Sequence, residues 1–136
     1  MPGKVMYMSR EITSHKVNGL NEAISIEAVD GPGAGNASHV YSIAHYTKPF
    51  DPEPRVQTMD CLIHFQNGPI NESGVNGISN EALIAIVIDR LQGFQSGDFK
   101  CRENDIALTH LEDAQHWLQH RTRARVQRGV EGTSKV

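Results

Sequence analysis

The sequence predicts an α+β fold in a single domain, 1–136: an antiparallel β-sheet in residues 1–70, then an antiparallel helical hairpin in residues 76–130. Three observations carry this expectation. Apolar and polar residues alternate in short runs through the first half. An unbroken apolar run, Ala82 to Ile88, follows a helix-capping signal. Spacings of three and four residues organise the last third.

The strands come first. Ile24, Ile26 and Ala28 alternate with Ser25 and Glu27, and Tyr41 and Ile43 with Ser42 and Ala44. Met59, Cys61, Ile63 and Phe65 alternate with Asp60, Leu62, His64 and Gln66. Period-two patterns of this kind suit an antiparallel sheet with one face covered. Gly31 to Ser38 and Lys48 to Pro54 carry turn and loop chemistry. The Gly-rich stretch offers backbone N–H groups to an anion, but it lacks the Lys-Ser/Thr of a P-loop and no helix follows it. A hairpin loop is the expectation there.

Asn67-Gly68-Pro69 ends the sheet. Ser79 is placed as an N-cap, Ile78 and Leu83 as a hydrophobic staple, and Glu81 at the positive end of a helix of about four turns. Gly93, Gln95, Ser96 and Gly97 mark its end. A second helix begins near Arg102 and stops at Gly129, a C′ glycine. A short turn between two helices makes them antiparallel neighbours. The first helix is apolar nearly all round, through Leu83, Ile84, Ile86, Val87, Ile88 and Leu91. One small sheet and one partner helix cannot cover every side of it, so a homo-oligomer packed through the hairpins is expected.

On the second helix Ala107, Leu111, Ala114 and Leu118 follow one face, and the same count lands on Arg121, Arg125 and Arg128. An apolar stripe thus becomes a guanidinium stripe, whose rigid donor forks suit phosphate or carboxylate. Cations in a last turn also offset the helix dipole, by about 0.3–1 kcal/mol each. Three on one face point beyond that, to an anionic ligand or a partner chain. The formal net charge of −3 argues against a broad surface for a nucleic-acid polymer, so a small anion is expected. Cys61 and Cys101 have no metal or redox spacing and read as reduced thiols of a cytoplasmic protein. The first six residues show no charged-then-apolar leader, and the longest apolar run is far short of a bilayer, so no membrane partner is expected.

Catalytic motifs are weak. His116 and His120 stand at i, i+4 with Glu112 one turn earlier, a spacing that zinc uses, but seven histidines make chance pairs common. No metal, no cofactor and no catalytic residue is expected. What remains is a binding constellation. Phe94 ends the first helix and Asn104 starts the second, so the turn brings them to one end of the hairpin. Arg121 lies about 26 Å further along the second helix. Within one chain these residues cannot reach one small ligand; across an antiparallel dimer they can. A ring to stack on, an amide for base edges and arginines for phosphates are what a nucleotide requires. The plainer roles are core packing for Phe94, N-terminal capping for Asn104, and core or interface for Trp117.

The segments Ile63 to Glu72, Gly74 to Leu91, and Arg121 through Arg128-Gly-Val-Glu-Gly-Thr133 resemble a phage family, the first anti-Thoeris (Thoeris anti-defence) proteins, which share a helical hairpin with the second anti-CBASS sponge. The likeness covers about Ile63 to Thr133. It implies a non-enzymatic sponge, acting in the cytoplasm of the infected bacterium, that sequesters a glycocyclic ADP-ribose made by TIR-domain proteins. It implies hexamers built from dimers, and separate pockets for the cyclic di- and trinucleotides of CBASS immunity. By this resemblance Phe94, Asn104, Arg121 and Arg125 line an ADP-ribose pocket between protomers. A basic residue from the N-terminal strands, His39 or Arg10, completes it, and the second pocket falls near Gly77 and Arg128. The competing expectation is a phosphodiesterase or glycohydrolase that destroys the same signal, with His116 and His120 as its one candidate centre. A third is a structural oligomer of the virion or an interaction adaptor, which leaves the arginine face without work.

Overall fold

The structure is a computed structural model that describes residues 9–46 and 57–136. The expected loop at 48–54 and the first six residues lie outside the described residues. The α+β expectation holds, and the chain divides into two compact units. The first ends at Asn67 and takes in Val75–Gly77; the second comprises Gly68–Gly74 and Ile78–Val136.

The first unit is a four-stranded antiparallel meander, β1 (Arg10–Ile12), β2 (Ile24–Ala28), β3 (Val40–Tyr46) and β4 (Gln57–His64), in the order β1-β2-β3-β4. Paired residues present their side chains to the same face, so Ile12, Ile26, Ile43 and Cys61 form one cross-strand row. The alternation from Met59 to Phe65 conceals an irregularity: Ile43 pairs with Cys61 but Ala44 with Met59, which leaves Asp60 as the extra residue of a bulge. The Gly31–Ser38 stretch is the expected loop between paired strands, closed by a 3₁₀ turn at Ala34–Asn36. Asp30 anchors it, its carboxylate accepting from the His39 amide at 2.8 and 3.0 Å and from the Val40 amide at 3.0 Å. Partial burial pushes that carboxyl upward, but the Val40 and His39 amides outweigh it and hold the group below the ordinary aspartate value. Two short elements were not foreseen: β1, too short to show a period, and a helix α1 (Gly19–Ala23) capped by Asn18, which accepts from the Asn21 amide at 2.9 Å.

Val75–Gly77 docks on the end of β4. The Asn67 amide donates to Asn76 Oδ1 at 2.8 Å, Asn76 Nδ2 to the Asn67 carbonyl at 2.7 Å, and the Asn76 amide to Gln66 Oε1 at 2.9 Å. A Cβ on Gly77 would lie 2.6 Å from both Gln66 N and the His64 carbonyl oxygen. The backbone approach itself therefore demands glycine there.

The second unit holds a one-turn helix α2 (Ile70–Ser73) and two long helices, α3 (Asn80–Gln95) and α4 (Arg102–Gln127), which pack on each other. Ser79 caps α3 as expected, its hydroxyl accepting from the Ala82 amide at 3.1 Å. α4 closes with a Schellman motif: Gly129, at φ 71°, donates to the Val126 carbonyl at 3.0 Å, and Val130 to Arg125 at 3.1 Å. The covered positions of α3 are Glu81, Leu83, Ile84, Ile88, Leu91 and Gln95. Those of α4 up to Thr122 are Asn104, Leu108, Leu111, Gln115, Leu118 and Thr122, with Arg125 next in step. Steps of four and three make this a coiled-coil-like seam.

That seam corrects the expected stripe. Leu111 and Leu118 belong to it, but Ala107 and Ala114 are exposed, and Leu108 and Gln115 take their place. Leucine buries more apolar surface than alanine, so the rotation that covers Leu108 wins. In consequence the seam reaches Arg125 but neither Arg121 nor Arg128, both of which are exposed. The apolar surplus of α3 is evident in the exposure of Ile86, Val87 and Phe94. Among the described residues no helix is long and apolar enough to cross a membrane.

Candidate functional site

The turn between α3 and α4 is a built corner. Gln95 Nε2 donates to the Cys101 carbonyl at 2.9 Å and to Asp105 Oδ1 at 2.6 Å, while its Oε1 accepts from the Cys101 amide at 3.1 Å. One side chain thus ties the end of α3 to the start of α4. Phe94, beside it, is 43% exposed rather than packed in a core. Arg90, one turn earlier, carries its guanidinium carbon 5.7 Å from the Phe94 ring centroid, within cation–π range. Arg90, Gly93, Phe94, Gly97, Asp98 and Phe99 line an open cleft of about 290 Å³.

Asn104 occupies the third position of α4 and is not its cap; that place falls to Cys101, whose side chain makes no capping bond. The Asn104 amide is half-buried and bonds nothing among the described residues. Phe94 and Asn104 therefore share the turn end of the hairpin. Arg121 stands on the same unbroken helix, about 26 Å from Asn104, exposed and without an acceptor among the described residues.

The other arginines behave differently. Arg125 is only 9% exposed. Its Nε donates to Glu131 Oε2 at 3.1 Å, its Nη1 to the Lys135 carbonyl at 3.0 Å, and its Nη2 to the carbonyls of Val130 at 3.0 Å and Thr133 at 3.1 Å. Four of the five donors of a guanidinium are committed to its own chain. Arg125 is thus the clamp of the C-terminal segment, which the Asn71 amide also holds through the Gly132 carbonyl at 2.9 Å. Arg128 Nη1 reaches the Val136 carbonyl at 3.1 Å. Gly77 belongs to the sheet unit, pressed against β4 as described, whereas Arg128 belongs to the hairpin unit.

His116 and His120 flank Trp117 in an exposed aromatic cluster, each imidazole 5.5 Å from the indole and 6.4 Å from the other. Trp117 is 61% exposed, so it is not a core residue of this chain. Among the described residues no group of three or more His, Cys, Asp or Glu could hold a metal ion. Sequence reasoning missed Arg90, Gln95 and Phe99. The i, i+4 spacing of Arg90 and Phe94 was the available signal for the first; Phe99 sits in a turn, where no periodicity speaks.

The family model of the Acb2/Tad1 hairpin domain matches residues 58–123. A relative named Thoeris anti-defense 1, from Bacillus phage SBSphiJ7, is 59% identical over 73 residues, which is 54% of this chain and 51% of that protein. The match thus spans about half the length of the relative. Residues 58–123 are thus similar to the Acb2/Tad1 hairpin domain, and the chain is similar over about half its length to a Thoeris anti-defence protein, as the resemblance in its sequence indicated.

Proposed function

We propose that this chain is a phage anti-defence sponge that binds the TIR-derived signal glycocyclic ADP-ribose and sequesters it intact, so that Thoeris immunity is never triggered. The observation that carries this reading is the 59% identity to a protein named for Thoeris anti-defence. The hairpin supplies the matching chemistry: an exposed ring at Phe94, a free amide at Asn104 and an unpaired cation at Arg121. Base stacking, edge recognition and phosphate binding are the three tasks of a nucleotide pocket. Because one rigid helix separates Asn104 from Arg121, the pocket is completed by a second protomer, in a homo-oligomer whose dimers build a hexamer through the exposed apolar positions of α3. Arg125 acts behind this pocket by fixing the C-terminal segment. A second pocket, beside Arg128, takes the cyclic di- and trinucleotides of CBASS. The protein works in the cytoplasm of the infected host.

A sponge does not turn over, so its function rests on slow release and on burial of the ligand rather than on any nucleophile. The test is to mix the purified protein with TIR-derived signal, filter, heat-denature the retained protein and assay both fractions. Intact signal released only by denaturation is the expected result. Signal lost from both fractions would instead mark a phosphodiesterase or glycohydrolase, and signal free throughout would remove this ligand from the protein. Arg121→Glu is expected to weaken capture by about 30-fold or more while the oligomer stays folded, since it replaces the phosphate's partner with a like charge. Unchanged affinity by calorimetry would take Arg121 out of the pocket.

A further inference from the structure

The backbone of the α3–α4 turn has little of its own to hold an angle. Gly93 stands in the last turn of α3 and Gly97 just beyond it, and a Cβ on either would meet nothing closer than 4.0 Å. Phe99, between the two helices, is 79% exposed. Glycine is among the poorest helix formers, because its backbone is free to turn. One side chain works against this freedom. Gln95 bonds the Cys101 amide, the Cys101 carbonyl and Asp105 Oδ1, and among the described residues no other hydrogen bond joins α3 to the start of α4. Asp105 is itself held, its amide donating to the Cys101 carbonyl at 3.3 Å and its carbonyl accepting from the Thr109 hydroxyl at 3.0 Å. Each end of this clamp adjoins a residue assigned to the pocket: Gln95 follows Phe94, and Asp105 follows Asn104. Consecutive helical residues stand about 100° apart, so fixing one member of each pair fixes the direction of the other.

We propose that Gln95 is a positioning residue of the nucleotide pocket, and the proposal rests on the sponge reading above. Gln95 touches no ligand. Its amide locks the ends of the two helices, so that the Phe94 ring and the Asn104 amide stand at one spacing before the nucleotide arrives. Without the lock the helix ends turn about Gly93 and Gly97, and only a fraction of the molecules holds the binding arrangement. Apparent affinity falls by that fraction. The task requires a side-chain amide, because Gln95 donates to two acceptors and accepts from one N–H at once. A carboxylate of the same length keeps the bond from the Cys101 amide but sets an acceptor against Asp105 and against the Cys101 carbonyl.

Exchanging donor and acceptor separates this role from a merely structural one. Gln95→Glu should weaken capture of the TIR-derived signal about tenfold, as when about a tenth of the molecules keep the binding arrangement. Its melting temperature should change little, because Cys101 and Asp105 are exposed to water. Asp105→Asn alone should bind as the wild type does, since it leaves Gln95 an acceptor. In the double variant the two groups trade roles, and most of the lost affinity should return. Gln95→Leu, which keeps the covered position filled, should lose capture as well, and Asp105→Asn should not repair it. Undiminished capture by Gln95→Glu and Gln95→Leu, or no recovery in the double variant, overturns the proposal and leaves the sponge reading intact. A second measurement needs no ligand. The NMR signals of the Asn104 side-chain amide and the Phe94 ring should shift in Gln95→Glu and return in the double variant. If the wild type holds no TIR-derived signal, the sponge reading falls, and this comparison still decides: shift and return support the presetting of Phe94 and Asn104, and unmoved signals overturn it.

Discussion

Asp30 shows how one carboxylate organises a glycine-rich loop. Its amide hydrogen bonds to His39 and Val40 hold the folded group below its unfolded value. A depressed carboxyl contributes stability that is full above the unfolded value and disappears as pH falls through the folded one. The sheet is therefore expected to keep constant stability from neutral pH down to about pH 5 and to weaken below about pH 4. Asp30→Asn should flatten that acid limb in urea titrations at several pH values, and cost roughly 1–3 kcal/mol at neutral pH. Arg125 is the corresponding organiser of the hairpin unit. Arg125→Met leaves Glu131 and three carbonyls without their donor, and roughly 1–3 kcal/mol of destabilisation is expected because Glu131 is partly exposed. Hydrogen exchange over 130–135 should accelerate, and Arg125→Lys should not restore it, since an ammonium cannot span four acceptors in a plane. Sequence alone made Arg125 one of three equivalent cations. Its distinct role depends on a tail that curls back, through Gly129 and Gly132 at positive φ, and no periodicity reports that.

At the scale of elements, legibility followed locality. Ser79 and Gly129 were readable because a cap is a contact between residues a few positions apart. The three longer strands were readable because alternation survives over five or more residues. The bulge at Asp60 was not, since a register shift belongs to two strands and not to one. Nor was the seam of α4, where two stripes share Leu111 and Leu118 and differ only in Ala107 and Ala114 against Leu108 and Gln115. A one-step rotation of the helix decides between them, and with it which arginine is covered. The exposure of Phe94 and Trp117 was not readable for the same reason, and core packing stood open for both: an apolar ring carries no mark of whether its partner lies in this chain or in another. Of the candidate site, the residue types and their separation along the helix were visible in the sequence, while the clamp at Gln95 and the cleft beside Phe94 were not.

At the scale of the molecule, α4 is a single helix of 26 residues, about 39 Å long. Such a rod cannot bend its two ends toward one small ligand, and so in the proposed sponge it sorts the contributions to each pocket by subunit. If every pocket takes its amide from one copy and its guanidinium from the other, damage can be shared out unequally between pockets. Asn104→Ala and Arg121→Glu should each be inactive alone. Co-refolded in equal amounts, they form mixed pairs in which one pocket carries both lesions and its twin carries none. Random pairing then restores about a quarter of the wild-type capacity, because about half of all pairs are mixed and each has one sound pocket. A capacity near zero in the mixture would place both residues in the same chain's pocket. The rigidity of one helix thus turns a question about geometry into a count of inherited defects, as in genetic complementation between two broken copies.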